Sequence, residues 1–222
     1  PTVRYTDVTY KELNWHDEDR EDQRDTITKV PGVGPILGVH IYQGEVYALR
    51  NADNSPDDPI AAALYRANRV YDVDGNIDDT LSGWELIDGT FNPNGRLDAV
   101  NWRFSGSFED KQVMIMVDGE SIPRIYDKNT ETMYLYDNPE SVDIPDRHPT
   151  TPRYAKRVSI FDNRALLAYA EDDILLSSKF DPREFALGFG DQLLIGDEIT
   201  NLMEILGASM AICCRHSAKV PQ

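Results

Sequence analysis

RVSIFDNRALLAYAEDDILLSSKFDPREF, residues Arg157 to Phe185, is the stretch whose reading decides the fold. It holds three short apolar runs, Val158 to Phe161, Ala165 to Ala170 and Ile174 to Leu176. Asp162-Asn163 separates the first two and Glu171-Asp172-Asp173 the last two. Short β-rich runs bounded by Asn/Asp turns predict antiparallel strands joined by hairpins. No run reaches a typical helix length or keeps the 3.6-residue period of a buried helical face.

The first half of this stretch has an echo upstream. Val39-His40-Ile41-Tyr42-Gln43-Gly44-Glu45-Val46-Tyr47-Ala48 aligns with Val158-Ser159-Ile160-Phe161-Asp162-Asn163-Arg164-Ala165-Leu166-Leu167. The turn position is Gly44 in one copy and Asn163 in the other, two residue types that tolerate positive φ. Degenerate copies are read at Ala99 to Gly119 and at Leu193 to Arg215. An internal repeat of β units at such spacing predicts an all-β, antiparallel, β-propeller-like array of short hairpin units.

Further strands are expected at Val3 to Tyr10, Ala61 to Arg66, Gly83 to Ile87, Val100 to Phe104, Val113 to Val117, Ile122 to Tyr126 and Met133 to Tyr136. Ala61–Arg66 and Gly83–Ile87 are read as one hairpin with an enlarged turn. The four strands from Val100 to Tyr136 make one complete unit. Pro31-Gly32-Val33-Gly34-Pro35 is read as a turn, Asp88 to Asp98 as a linker, and the proline-bearing run Asn138 to Pro152 as an extended connector. The resulting organisation is an N-terminal strand and charged loop over 1–37, then a propeller-like β domain over 38–222. The first strand resembles the last strand of a unit, and the final hairpin resembles the opening of another. Ring closure by both termini, or excision from a longer protein, accounts equally for that pattern.

Composition narrows the function. The 222 residues are 41% hydrophobic and 27% charged, enough for a packed core. A net charge of −17 argues against binding nucleic acid or an anionic membrane surface, both of which need Lys and Arg. The adjacent cysteines Cys213 and Cys214 point to opposite faces of a strand and make no disulfide framework.

Catalytic patterns are missing from the sequence. No G-x-S-x-G elbow occurs, and His16, His40, His148 and His216 stand apart, so the chain reads as a non-enzyme. Asp72, Asp74, Asn76 and Asp78 alternate around Gly75 and form the best ion-binding candidate, with oxygen ligands suited to calcium. The glycine sits at position four and Glu85 at position fourteen, so this is not an EF-hand, and an acidic β-turn is the competing reading of the same residues. Arg153, Lys156, Arg157 and Arg164 form the densest basic cluster and are the candidate interface with an acidic neighbour. Trp15, Trp84 and Trp102 read as core or sheet-face residues, with a sugar platform as the other use.

Leu175-Leu176-Ser177-Ser178-Lys179-Phe180-Asp181-Pro182-Arg183-Glu184-Phe185, followed by Ile195-Gly196-Asp197-Glu198-Ile199-Thr200, carries a resemblance. Strand, serine, D-P-x-x-F turn and then G-D-x-I-T resembles β-propeller-like virion proteins of tailed bacteriophages, of the tail hub, nozzle or head–tail connector type. The hairpin GVHIYQGEVYALRN, with the later LYRA and GWELI, is similar to the opening unit of such proteins. The resemblance spans Gly38 to Arg215, and the long loop from Asn68 to Ser82 departs from it. It implies a structural virion protein made in the host cytoplasm, assembled with other virion subunits in a homo-oligomeric ring. A carbohydrate-binding or carbohydrate-cleaving propeller is the reading from another class.

Overall fold

Successive side chains on a strand point to opposite faces, so an unbroken apolar strand must be covered on both. Gln112 to Val117 (QVMIMV) and Arg164 to Tyr169 (RALLAY) are such strands, and the architecture follows from covering them. A computed structural model describes residues 28–52, 59–68, 73–74, 83–104, 111–136, 154–169, 173–177, 179, 181–183, 192–205 and 209–219. The described residues form four antiparallel sheets and no helix.

Each sheet is a meander in chain order. The first contains β1 (Val33–Tyr42), β2 (Glu45–Asn51), β3 (Ala62–Asn68) and β4 (Gly83–Phe91). The second contains β5 (Asp98–Arg103), β6 (Gln112–Val117), β7 (Arg124–Asp127) and β8 (Thr132–Leu135). The third contains β9 (Ala155–Phe161), β10 (Arg164–Tyr169), β11 (Asp173–Leu176) and β12 (Gln192–Leu194). The fourth contains β13 (Ile199–Ile205), β14 (Ser209–Cys214) and β15 (Ala218–Lys219).

The core is divided into layers between successive sheets. Tyr47, Leu49 and Leu64 of the first sheet meet Met114, Met116 and Tyr126 of the second. Val113, Ile115 and Val117, on the opposite face of the same β6, meet Val158, Ile160, Ala165 and Leu167 of the third. Leu166 and Ala168, the alternate residues of β10, then meet Leu202, Met210 and Ile212 of the fourth. Burying each such aliphatic side chain contributes about 1.5–3 kcal/mol. The first strands run side by side, β1 beside β5, β5 beside β9, and β9 beside β13.

The two repeated hairpins are equivalent in register and turn. Val39 pairs with Ala48 and Tyr42 with Glu45; Val158 pairs with Leu167 and Phe161 with Arg164. Both turns place two residues at positive φ, Gln43 (48°) and Gly44 (78°), Asp162 (49°) and Asn163 (59°). This is the type I′ pattern, whose twist matches that of the flanking strands.

Several boundaries differ from the sequence reading. The Pro31–Pro35 turn is shorter than expected: β1 begins at Val33, with register shifts between Val33, Ile36 and Gly38. Gly34, at φ 67°, lets the strand pass through this irregular start. The strand thus runs across the expected 37/38 boundary. The Asp88–Asp98 linker begins later, because β4 continues to Phe91. β7 starts at Arg124 rather than Ile122, since Pro123 has no N–H to give a ladder. The fourth unit begins at Ile199, because Gln192–Leu194 completes the third sheet. β15 had no counterpart in the sequence reading. The expected strand Val3–Tyr10 and the connector 138–152 lie outside the described residues.

The turn positions differ in one respect. Adding a Cβ at Gly44 meets nothing within 4 Å, whereas the Asn163 side chain donates to Lys179 O and accepts from Trp102 Nε1 (2.6 Å). Gly44→Asn is therefore expected to change stability by less than ~0.5 kcal/mol, and Gly44→Val to cost roughly 1–2 kcal/mol from left-handed strain. Asn163→Gly keeps the turn but is expected to cost about 1 kcal/mol through the lost hydrogen bonds. Chemical denaturation of the three variants checks this order.

Candidate functional site

Of the four calcium candidates, Asp74 is described and exposed; Asp72, Asn76 and Asp78 lie outside the described residues. No cluster of three or more His, Cys, Asp or Glu with metal-binding geometry occurs among the described residues. In the basic cluster, Arg153 lies outside the described residues and Lys156 is exposed. Arg157 turns inward along the chain: its Nε donates to Thr200 O (2.7 Å) and a terminal nitrogen donates to Lys156 O (2.7 Å). Arg164 donates to Ser177 O at 3.2 Å. The two arginines hold β13 to β9 and brace the third sheet.

Asp197, His216 and Ser217 form a trio of nucleophile-triad residue types that the sequence reading did not single out. His216 Nδ1 lies 3.1 Å from Asp197 Oδ1, and Ser217 Oγ donates to Asp197 Oδ2 at 3.0 Å. A triad needs the serine hydroxyl on the imidazole, so that the ring can take its proton. Here hydroxyl, imidazole and the His216 amide all converge on one carboxylate. The bond from His216 is the main reason the Asp197 carboxyl sits below its ordinary range. The arrangement ties the β14–β15 corner to the start of β13.

The densest polar network lies between the first and second sheets. Tyr42, Tyr47 and Tyr126 are fully buried and packed ring against ring, with centroids 5.9–6.1 Å apart. Arg66 pairs with Glu85 (2.7 Å), Glu131 (3.4 Å) and Glu45 (3.7 Å), and Lys128 pairs with Glu45 (2.9 Å). Tyr42 OH donates to Gln112 O (2.5 Å), closing the joint from the β6 side. Nearby, buried Arg124 is held by Asp88, by Thr90 Oγ1 (2.7 Å) and by Thr90 O (2.8 Å), and its guanidinium lies 3.7 Å over the Phe91 ring. His40 Nε2 lies 2.9 Å from Asn101 Oδ1, in agreement with a structural histidine. Arg66–Glu85 and Arg66–Glu45 lie within the first sheet, while Arg66–Glu131, Lys128–Glu45, Tyr42–Gln112, Arg124–Asp88 and His40–Asn101 cross to the second, which is the pattern of an inter-sheet clamp.

Between the second and third sheets the polar ties are fewer. Asp98 Oδ2 accepts from Val158 N at 3.1 Å. Burial holds the Asp98 carboxyl above its ordinary value, against the opposing pull of that bond and of Arg157. Trp102 and Trp84 lie on different sheets, with the Trp84 indole donating to Thr28 O at 2.9 Å. Trp15 lies outside the described residues.

Among the described residues, exposed aliphatic side chains gather on the two end faces of the stack. On the first sheet, Val39 pairs with Ala48, Ala48 with Tyr65 and Tyr65 with Leu86, so these four share the face turned away from the second sheet. Val39, Ile41 and Leu86, on the edge strands, are 61%, 62% and 58% exposed there, while Ala48 and Tyr65 between them are buried. Arg50 closes the other half of that face by donating to Val30 O and, at 2.8–3.0 Å, to Gly34 O. On the fourth sheet, Met203 pairs with Ala211 and Ile205 with Ser209 on the face turned away from the third, and both Met203 and Ile205 are exposed.

No known family's sequence profile matches the chain, and no curated protein sequence matches it.

The tyrosine joint predicts an alkaline limit. Burial pushes the Tyr42 hydroxyl up to about 12 from an ordinary value of 10.0, and burial likewise raises Tyr47 and Tyr126. The folded state therefore holds protons that the unfolded state releases. Stability is fully present below pH 10 and falls as pH rises towards the folded-state value. Phenolate absorbance is expected to show these three rings ionising only together with loss of the β signal in circular dichroism. Ionisation of all the tyrosines before unfolding would contradict it.

Proposed function

We propose that this chain is a structural, non-catalytic module of a tailed-phage virion, working in the tail or head–tail connector region as part of a propeller-like assembly. The observation that carries the reading is the stack itself. Meander sheets follow one another in chain order, share cores face to face, and keep their first strands adjacent. That is how the blades of a propeller are arranged about an axis. The resemblance around Leu175–Phe185 and Ile195–Thr200 supplies the virion context.

Charged and polar side chains that resemble catalytic groups are spent on structural bonds within and between the sheets. Arg66, Arg124, Asp98 and the Asp197–His216–Ser217 trio each have geometry that explains them structurally. Such clamps suit a protein whose work is to keep a shape under load. The open apolar end faces, rather than the basic cluster at Lys156, Arg157 and Arg164, are the surfaces best suited to a neighbour.

Proteomic analysis of purified particles from the source of this sequence, with density imaging of the tail, tests the reading. The expected result is this chain present at a fixed copy number in a β-rich density at the tail or connector. A protein absent from particles, or one that cleaves a glycan in solution, would overturn it.

A further inference from the structure

The repeated hairpin shows what the first end face is built to receive. Val39 and Ile41 stand at the same register positions as Val158 and Ile160. The latter pair is 7% exposed at each residue, because the second sheet packs Val113, Ile115 and Val117 against it. The former pair is 61–62% exposed. The same local pattern therefore has a sheet in front of it in one case and solvent in the other. At the opposite end, Met203 and Ile205 occupy the face that in the second and third sheets carries the next joint. Both ends of the stack thus carry exposed apolar residues, Val39, Ile41 and Leu86 at one and Met203 and Ile205 at the other; on the first face they flank the buried Ala48 and Tyr65, with Arg50 at the margin.

We infer that the Val39–Ile41–Leu86 face of one copy docks on the Met203–Ile205 face of a second copy, continuing the sheet stack head to tail between chains. This inference rests on the assembly reading above. The occupant is a second copy because this chain already holds the complementary half, and because the joint would continue an interface the chain makes three times between its own sheets. Such a contact is heterologous and closes into a ring when the rotation per copy permits. The joint is apolar on both sides, while each copy carries a net charge of −17. Screening that repulsion strengthens association, so added salt is expected to favour the assembly. An interface made of ion pairs would behave in the opposite way.

The experiment uses the full chain and two variants, Ile41→Asp and Met203→Asp, measured by analytical ultracentrifugation. Both positions are exposed within a copy, so each variant is expected to keep the melting temperature of the unaltered monomer. The unaltered chain is expected to self-associate reversibly, more strongly at higher salt. Each variant alone is expected to associate roughly 100-fold more weakly, since docking would bury an unpaired carboxylate. Mixing the variants is expected to give a one-to-one heterodimer, because one intact joint remains between an Ile41→Asp copy and a Met203→Asp copy. A monomeric unaltered chain, an Ile41→Asp variant with unaltered association, or a mixture that stays monomeric would each overturn the inference. A chain found in particles yet monomeric in solution would overturn this joint and leave the virion reading standing. A chain that assembles but is absent from particles would do the reverse.

Discussion

The alternation of side chains along a strand is the constraint on which the rest of this structure depends. β6 sends Val113, Ile115 and Val117 to one side and Met114 and Met116 to the other. β10 does the same with Ala165 and Leu167 against Leu166 and Ala168. A strand apolar on both faces cannot lie on a solvated surface without large exposure of apolar area. Each such sheet must be sandwiched, and a sandwiched sheet needs a neighbour that is itself at least half apolar. A stack of sheets in chain order is the solution with the shortest connections.

Stacking alone leaves the sheets free to slide, because apolar contact is non-directional. The polar clamps remove that freedom. Arg124 reaching Asp88 and Thr90, and Asn101 donating to Ile41 O at 2.7 Å, set the first joint in register. Asp98 accepting from Val158 N, with Trp102 donating to Asn163, sets the second. Arg157 donating to Thr200 O sets the third. Breaking a buried pair such as Arg124–Asp88 would strand a charge inside the protein, so these groups specify geometry more than they add net stability.

The hairpins were legible in the sequence because their information is local. A two-residue turn with positive φ at both positions accepts few residue types, and Gln43-Gly44 and Asp162-Asn163 announce themselves. The end of β4 was not legible: Asp88-Gly89-Thr90 reads as a turn, yet Asp88 pairs with Leu64 and Phe91 with Ala62 of β3 through an irregular register, and the segment is held from the second sheet by Arg124. The start of β1 was hidden by its glycines and prolines for a related reason, since its irregular register uses the conformational freedom of Gly34. The open face could not be read at all. Val39-x-Ile41 and Val158-x-Ile160 are the same pattern, and what separates them is the presence of a sheet in front of one. The converging bonds on Asp197 and the clamp around Arg124 likewise join residues far apart in the chain, with no motif to announce them.

Native-state hydrogen exchange tests the central claim, that doubly covered strands organise one continuous stack, most directly. The amides of β6 and β10 are expected to exchange slowest and with a common opening free energy, while the outermost strands β4, β8 and β12 exchange through smaller openings. That result would mean the shared cores bind the sheets into one cooperative unit. Protection highest in β2 or β14, or four sheets exchanging with unrelated free energies, would contradict the account.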